Sequence, residues 1–238
     1  MSTTSNDAVA GTTTSSDPGR GVCNLTFHGV GEPMRRLGPG ELDVWIDEDR
    51  LSSILDAVAG RDDVRISFDD GNASDVLIAL AQLRRRGLTA TFFVVSQRLG
   101  LPGFLDEEDL VALVGEGMTI GCHGMHHRPW RGLGDLALRE ETWSARQRLE
   151  AIVDRPVTQA ACPFGAYDRR VLSQLSHLGY GRVFTSDGGP ARAESWLQPR
   201  TTIRRGDRAD VLERIVAMAG SRRQAFPRLV KSTVKRWR

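Results

Sequence analysis

The sequence has no run of eighteen apolar residues, and its first twenty positions lack the apolar stretch of an export signal, so neither a membrane-spanning helix nor a secreted precursor is expected. Cysteine is scarce. Cys23, Cys122 and Cys162 stand far apart with no C-x-x-C pair, which argues against a zinc ribbon or a redox motif and fits reduced thiols in the cytoplasm. No self-similarity appears beyond an alternation of short elements, which excludes a repeat array. Acid is missing from residues 221–238, where seven positive charges interleave with Phe226, Leu229, Val230, Val234 and Trp237. What is present, 40% hydrophobic and 26% charged residues over 238 positions, suits one soluble domain with a sizeable core.

The net charge of +2 hides an asymmetry: residues 200–238 carry +9, so the rest of the chain carries −7. The basic end, residues 221–238, reads either as a solvated tail or as a peripheral contact for anionic membrane. Nucleic acid is not an expected partner, because no recognised nucleic-acid-binding motif accompanies the charge. Nine of the first twenty residues are Ser or Thr, and residues 1–20 read as a disordered tail. The folded domain is expected over 21–220.

Within it, β-rich runs near 22–28, 64–70, 89–95, 118–123, 157–163, 180–185 and 201–204 alternate with helical patterns near 49–59, 73–86, 107–114, 135–153, 168–178 and 208–218. Leu138, Thr142, Ala145, Leu149 and Ile152 form the buried stripe of one such helix, and Gly87, Gly117 and Gly179 sit where helices should stop. Repeated β-α units imply a parallel sheet. The polar residues fall just beyond the carboxyl ends of several strands, which favours an α/β barrel that gathers them around one mouth over an open sheet that spreads them along an edge.

Three clusters carry chemistry. Asp69 and Asp70 end an apolar strand before Gly71 and Asn72, where one carboxylate can hold a cation while its neighbour takes a proton from water; the alternative is a turn that caps the next helix. His123 and His127 stand at H-x-x-x-H spacing, which in a helical turn brings both imidazoles within reach of one metal, with His126 pointing elsewhere. Two imidazoles and one carboxylate leave positions open for water and substrate. The third cluster runs from Ala161 through Pro163, Phe164 and Gly165 to Tyr167 and Asp168: a strand-to-helix loop whose amides can face an oxyanion and whose aromatics can wall a pocket. Further on, Trp196 is placed either to stack on a sugar ring or to pack beneath a loop.

Ser67-Phe68-Asp69-Asp70-Gly71, then His123-x-x-x-His127, then Pro163-Phe164-Gly165-x-x-Asp168 resembles the polysaccharide deacetylase family, the NodB homology domain of carbohydrate esterase family four. The resemblance spans residues 22–205. It implies a distorted (β/α)7 barrel that removes N-acetyl groups, or in some members O-acetyl groups, from amino sugars with one divalent metal. It also implies Asp69 as general base, Asp70, His123 and His127 as metal ligands, and the Pro163 loop as part of the substrate pocket. Three positions depart from the family pattern. Ala161 replaces an Arg that helps orient the catalytic Asp, so that Asp69 is steered by another Arg such as Arg200 or Arg204 or by none; Arg128 stands where a Pro is usual; and no His occurs on a late strand. Some relatives with rearranged motif order carry that His on the first strand, as Leu25-Thr26-Phe27-His28-Gly29 does here, which makes His28 the expected general acid.

The function expected is metal-dependent hydrolysis of an N-acylated amino sugar, its oligomer or a lipid-linked precursor. Zinc suits the ligand set, with cobalt, nickel or manganese able to replace it. Pro163, Phe164 and Trp196 are the expected substrate contacts. The competing expectation is a catalytically silent sugar-binding module of the same fold.

Overall fold

The computed structural model describes residues 21–207. Both tails, the expected helix at 208–218 and the domain boundary at 220 lie outside the described residues. Nine strands form one sheet: β1 (Gly21–Phe27), β2 (Val64–Asp70), β3 (Ala90–Val94), β4 (Thr119–Cys122), β5 (Gln159–Ala161), β6 (Arg182–Thr185), β7 (Ala191–Arg192), β8 (Leu197–Pro199) and β9 (Thr201–Thr202). The helices are α1 (Glu48–Val58), α2 (Ala81–Arg84), α3 (Glu107–Gly115), α4 (Asp135–Arg139), α5 (Ala145–Val153) and α6 (Arg169–His177). π-helical turns lead into α2 (Asp75–Leu80) and join α4 to α5 (Glu140–Ser144), so each of those two expected helices is helical along its length but wider in part.

Strands β1 to β6 pair in parallel and in order. The last two short strands close the sheet. β8 pairs with β6 through Val183↔Leu197 and Thr185↔Pro199, and β9 pairs with β1 through Leu25↔Thr201. They are halves of one seventh strand that changes partner at Arg200, whose backbone N–H donates to Thr185 O at 3.0 Å. The result is a nearly closed, distorted (β/α)7 barrel. The expected seventh strand at 201–204 in fact starts at Leu197, and the two-residue β7, antiparallel to β1, has no hydrophobic pattern long enough to announce it.

Period-two alternation divides the side chains between two interiors. Outside the barrel, Phe27, Phe68 and Phe92 stack at 5.2 and 5.1 Å between ring centroids beneath the helices, each ring stabilising the fold by roughly 1.5–3 kcal/mol on burial. Inside it, Phe93 and Phe184 pack at 5.1 Å against Ala161. Gly121 faces this layer, and a Cβ there would meet the Phe93 ring at 2.4 Å. Cys23, Cys122 and Cys162 are buried and form no disulfide among the described residues. Asp47, Asp106 and Asp168 cap α1, α3 and α6. Asp168, part of the third motif, accepts from Val171 N at 2.9 Å, so its place in the fold is that of a helix cap.

Candidate metal centre and catalytic cleft

At the carboxyl ends of the strands lies a cleft of about 520 Å3 whose lining includes His28, Asp69, Asp70, Arg98, His123, His127, Phe164 and Arg204. Adjacent residues on a strand point to opposite faces, yet both aspartates reach this cleft. Asp70 does so from a left-handed backbone, φ 77°, as the chain leaves β2. His127 (φ 58°) and Phe164 (φ 56°) share that uncommon conformation, so three of the four non-glycine residues with positive φ among the described residues border the cleft.

One ligand atom from each of Asp70, His123 and His127 can be chosen so that all lie within 4.8 Å of one another. His127 Nε2 is 3.2 Å from Asp70 Oδ1, and His123 Nε2 is 4.0 Å from it. His123 donates from Nδ1 to the Ala161 carbonyl at 2.9 Å, which leaves Nε2 unprotonated and turned to the cleft. Two imidazole nitrogens and a carboxylate oxygen fit a borderline cation such as zinc, with room for further ligands. The expected helical turn is absent. Residues 123–127 form an irregular loop, and the rings come together, centroids 4.9 Å apart, because the chain doubles back at Gly124 and His127.

Glu141 holds that loop. Fully buried, it accepts from the N–H groups of Met125 and His126, each at 3.1 Å, and from Arg128 Nε at 2.8 Å. Arg128 also reaches Glu140 at 2.6 Å, so the residue that departs from the family pattern ties the loop to the helix behind it. His126 turns outward to Glu140.

Asp69 is clamped. Arg200 Nη1 and Nη2 donate to its two oxygens at 2.6 and 2.7 Å, while the guanidinium lies over Phe93, 5.0 Å from the ring centroid. Burial opposes ionisation of Asp69, but Arg200 and His123 outweigh it and hold the carboxyl below its usual range. Arg204 lines the cleft apart from this pair, so of the two arginines considered for Asp69, Arg200 is the one that meets it. Burial likewise opposes Asp70, and His127, His28, His123 and Arg98 together bring its pKa far down. Burial keeps His123 below its ordinary pKa and pushes His127 down to about 4, which favours the uncharged imidazoles that metal binding requires.

His28 lines the cleft from the end of β1, and its Nδ1 is buried without a hydrogen-bond partner among the described residues. Phe164 is 67% exposed, its ring 4.5 Å from His127. Pro163 is buried under the turn, and Gly165 and Ala166 spend their N–H groups on Cys162 O and Pro163 O, which removes both as oxyanion donors. Tyr167 is buried and donates to Asp187 at 2.7 Å, so it walls no pocket. Trp196 is a correction. It packs against the core and donates to Tyr180 O at 2.6 Å, where its own carbonyl receives Val183 N at the amino end of β6, the opposite end of the barrel from the cleft.

Sequence reasoning missed Arg98, which donates to Asp70 Oδ1 at 3.1 Å and lies 3.2 Å from His127 Nδ1. Its only signal is position, a few residues past the carboxyl end of β3. Glu141 had none.

The family model of the polysaccharide deacetylases matches residues 57–183. YxkH of Bacillus subtilis, provisionally named a polysaccharide deacetylase, is 23% identical over 168 residues, which are 71% of this chain; the chain spans 58% of YxkH. Among solved structures, a polysaccharide deacetylase of Bacillus cereus, BC0361, superposes with a TM-score of 0.70 at 18% identity over 84% of this chain and 69% of that one. The Streptococcus pyogenes deacetylase PplD gives 0.71 at 16% over 82% and 98%. These structures share the fold. The family match runs from α1 to β6 and takes in Asp69, Asp70, His123, His127 and the Pro163 turn, while His28, just past β1, and Arg200, between β8 and β9, lie outside it; on that match the chain belongs to the polysaccharide deacetylase family.

Proposed function

We propose that the protein is a metal-dependent hydrolase that removes an N-acetyl or other acyl group from an amino sugar, its oligomer or a lipid-linked precursor. The observation that carries this reading is the meeting of a clamped carboxylate, a three-atom ligand set and an unpartnered histidine in one cleft. A divalent cation held by Asp70, His123 and His127, zinc by the donor set with cobalt, nickel or manganese as replacements, supplies Lewis-acid polarisation of the acyl oxygen and of water. Asp69, kept ionised and fixed in direction by Arg200, accepts the proton of the attacking water. His28 donates a proton to the departing amine nitrogen, without which the amine is a poor leaving group. Phe164 offers an exposed ring to the sugar at the rim.

The test is acetate release from N-acetylglucosamine oligomers, beside an O-acetylated xylo-oligosaccharide, by metal-stripped protein before and after zinc or cobalt is added. Metal-restored release from the amino sugar supports the reading. Tight sugar binding with no release under any metal overturns it in favour of a silent binding module.

The location of the reaction is a proposal as well: cytoplasmic, at the inner face of the membrane, with the basic residues 221–238 as the contact. No helix of the described residues is long and apolar enough to cross a membrane. Co-sedimentation with anionic but not zwitterionic vesicles, lost on deletion of 221–238, is the expected result.

A further inference from the structure

Below the Phe93 and Phe184 layer the barrel opens a second time. At the amino ends of the strands lies a cavity of about 180 Å3 lined by Asn24, Arg65, Thr91, Thr119, Gln159 and Arg182, together with two further hydroxyl side chains and apolar neighbours. It shares no lining residue with the catalytic cleft. Its volume is well above the roughly 30 Å3 of one water.

Its charge is unbalanced. Arg65 gives its recorded hydrogen bonds to neutral acceptors, Gln198 Oε1 at 3.3 Å and Ala193 O at 3.0 Å. Arg182 has one carboxylate near it among the described residues, Glu194 at 3.9 Å, and the Glu194 side chain is 54% exposed. Burial and then the charge of Arg182 lower the pKa of Arg65, and Glu194 offsets only part of this, so two guanidiniums share one carboxylate.

The neutral groups add a pattern of donors and one acceptor. Gln159 Oε1 accepts from Thr91 Oγ1 at 3.3 Å, so its amide N–H2 end remains as donor. Asn24, 1% exposed, donates through Nδ2 to Gln198 Oε1 at 3.0 Å and Pro199 O at 2.9 Å, which fixes the amide and leaves Oδ1 buried without a partner. A buried, unpartnered acceptor on the strand position paired with Arg65, in a cavity lined by two guanidiniums, matches an oxyanion whose ligand also carries a hydroxyl.

We propose that this cavity binds a phosphate-type oxyanion, either inorganic phosphate or the phosphate of a small monoester, between Arg65 and Arg182, with Gln159 donating to it and Asn24 Oδ1 accepting a hydroxyl of the ligand, the P–OH of hydrogen phosphate or an alcohol of the ester. The site lies at the opposite end of the barrel from the catalytic centre and does not depend on the reaction assigned there.

The test is calorimetric titration and thermal unfolding of the full chain with inorganic phosphate and with glucose 1-phosphate, against sodium chloride at equal ionic strength. Saturable binding of phosphate and a rise in Tm that chloride does not reproduce are expected; a response to the monoester beyond that to phosphate identifies the larger ligand. Arg65→Gln and Arg182→Gln each raise Kd by about 10-fold or more, the loss of a charge-assisted pair. Should those variants fold poorly, Gln159→Glu is the second arm: it places a fixed carboxylate in the cavity, so it raises Tm in phosphate-free buffer and abolishes the phosphate response. A wild-type response no larger than that to chloride overturns the proposal, as does a phosphate response that survives all three substitutions.

Discussion

Arg200 reaches across the barrel interior from the strand that closes it and takes both oxygens of Asp69, Nη1 to Oδ1 at 2.6 Å and Nη2 to Oδ2 at 2.7 Å. With Ala161 beneath this pair, in the layer with Phe93 and Phe184, the space that an arginine on β5 would need is taken by the Arg200 guanidinium and the rings under it. Asp69, the proposed base, and the arginine that orients it are therefore set by closure of the sheet.

Removal of Arg200 tests that arrangement. Arg200→Gln leaves Asp69 buried and unpaired, which costs stability by about 3–5 kcal/mol and lowers kcat by roughly 10–100-fold. Because Arg200 holds the Asp69 pKa down, the acid limb of the kcat/KM profile moves to higher pH in the variant. Ala161→Arg destabilises the wild type, which has no room for it, and restores part of the activity of the Arg200→Ala background. A double variant no better than Arg200→Ala alone contradicts the exchange.

His28 answers to a leaving-group test. If it protonates the departing nitrogen, His28→Ala loses about 10²–10⁴-fold in kcat on an N-acetyl amino sugar but far less on p-nitrophenyl acetate, whose leaving group needs no proton. Equal losses on both substrates remove His28 from the acid role.

The metal-stripped protein carries a pH signature. The folded pKa of His127, pushed down to about 4 by burial and then by His123, lies below the ordinary value near 6.5, so the unfolded chain binds the extra proton and this group's contribution to stability falls as pH drops from about 6.5 to about 4. Asp75, fully buried, has its pKa raised by burial and by Asp70 and Asp69, and works in the opposite direction. The difference between wild type and His127→Gln isolates the histidine. Urea unfolding at pH 7, 6, 5 and 4 is expected to show the wild type losing its advantage over the variant across that window; parallel curves contradict it.

Two aromatic substitutions separate the ends of the barrel. Phe164→Ala raises KM with a small change in Tm, since the ring is exposed at the cleft, whereas Trp196→Phe lowers Tm through the lost bond to Tyr180 O and leaves KM unchanged. A KM effect from Trp196→Phe contradicts its placement.

The alternation of apolar runs and helical stripes made the barrel legible, because each strand end carried its polar residue at the boundary of a pattern. Asp69, Asp70, His123 and His127 were legible for the same reason and because their spacing is unusual. What stayed hidden depends on contacts far apart in sequence. Arg200 becomes the partner of Asp69 only when a short, broken seventh strand closes the sheet, and neither β8 nor β9 is long enough to show a period. Arg98 and Glu141 support the proposed metal ligands and their loop from neighbouring elements with no motif of their own. Trp196 misled because an aromatic after a glycine-rich loop looks the same whether that loop runs over the cleft or returns to the far end of the barrel.

The central claim gives two adjacent carboxylates different duties, and one side-by-side measurement tests it: zinc stoichiometry and acetate release for the wild type, Asp69→Asn and Asp70→Asn, all metal-stripped and reloaded. Asp69→Asn is expected to bind one zinc per chain and release no acetate, while Asp70→Asn loses both metal and activity. Full activity in Asp69→Asn, or loss of zinc from it with Asp70→Asn still loaded, contradicts the account.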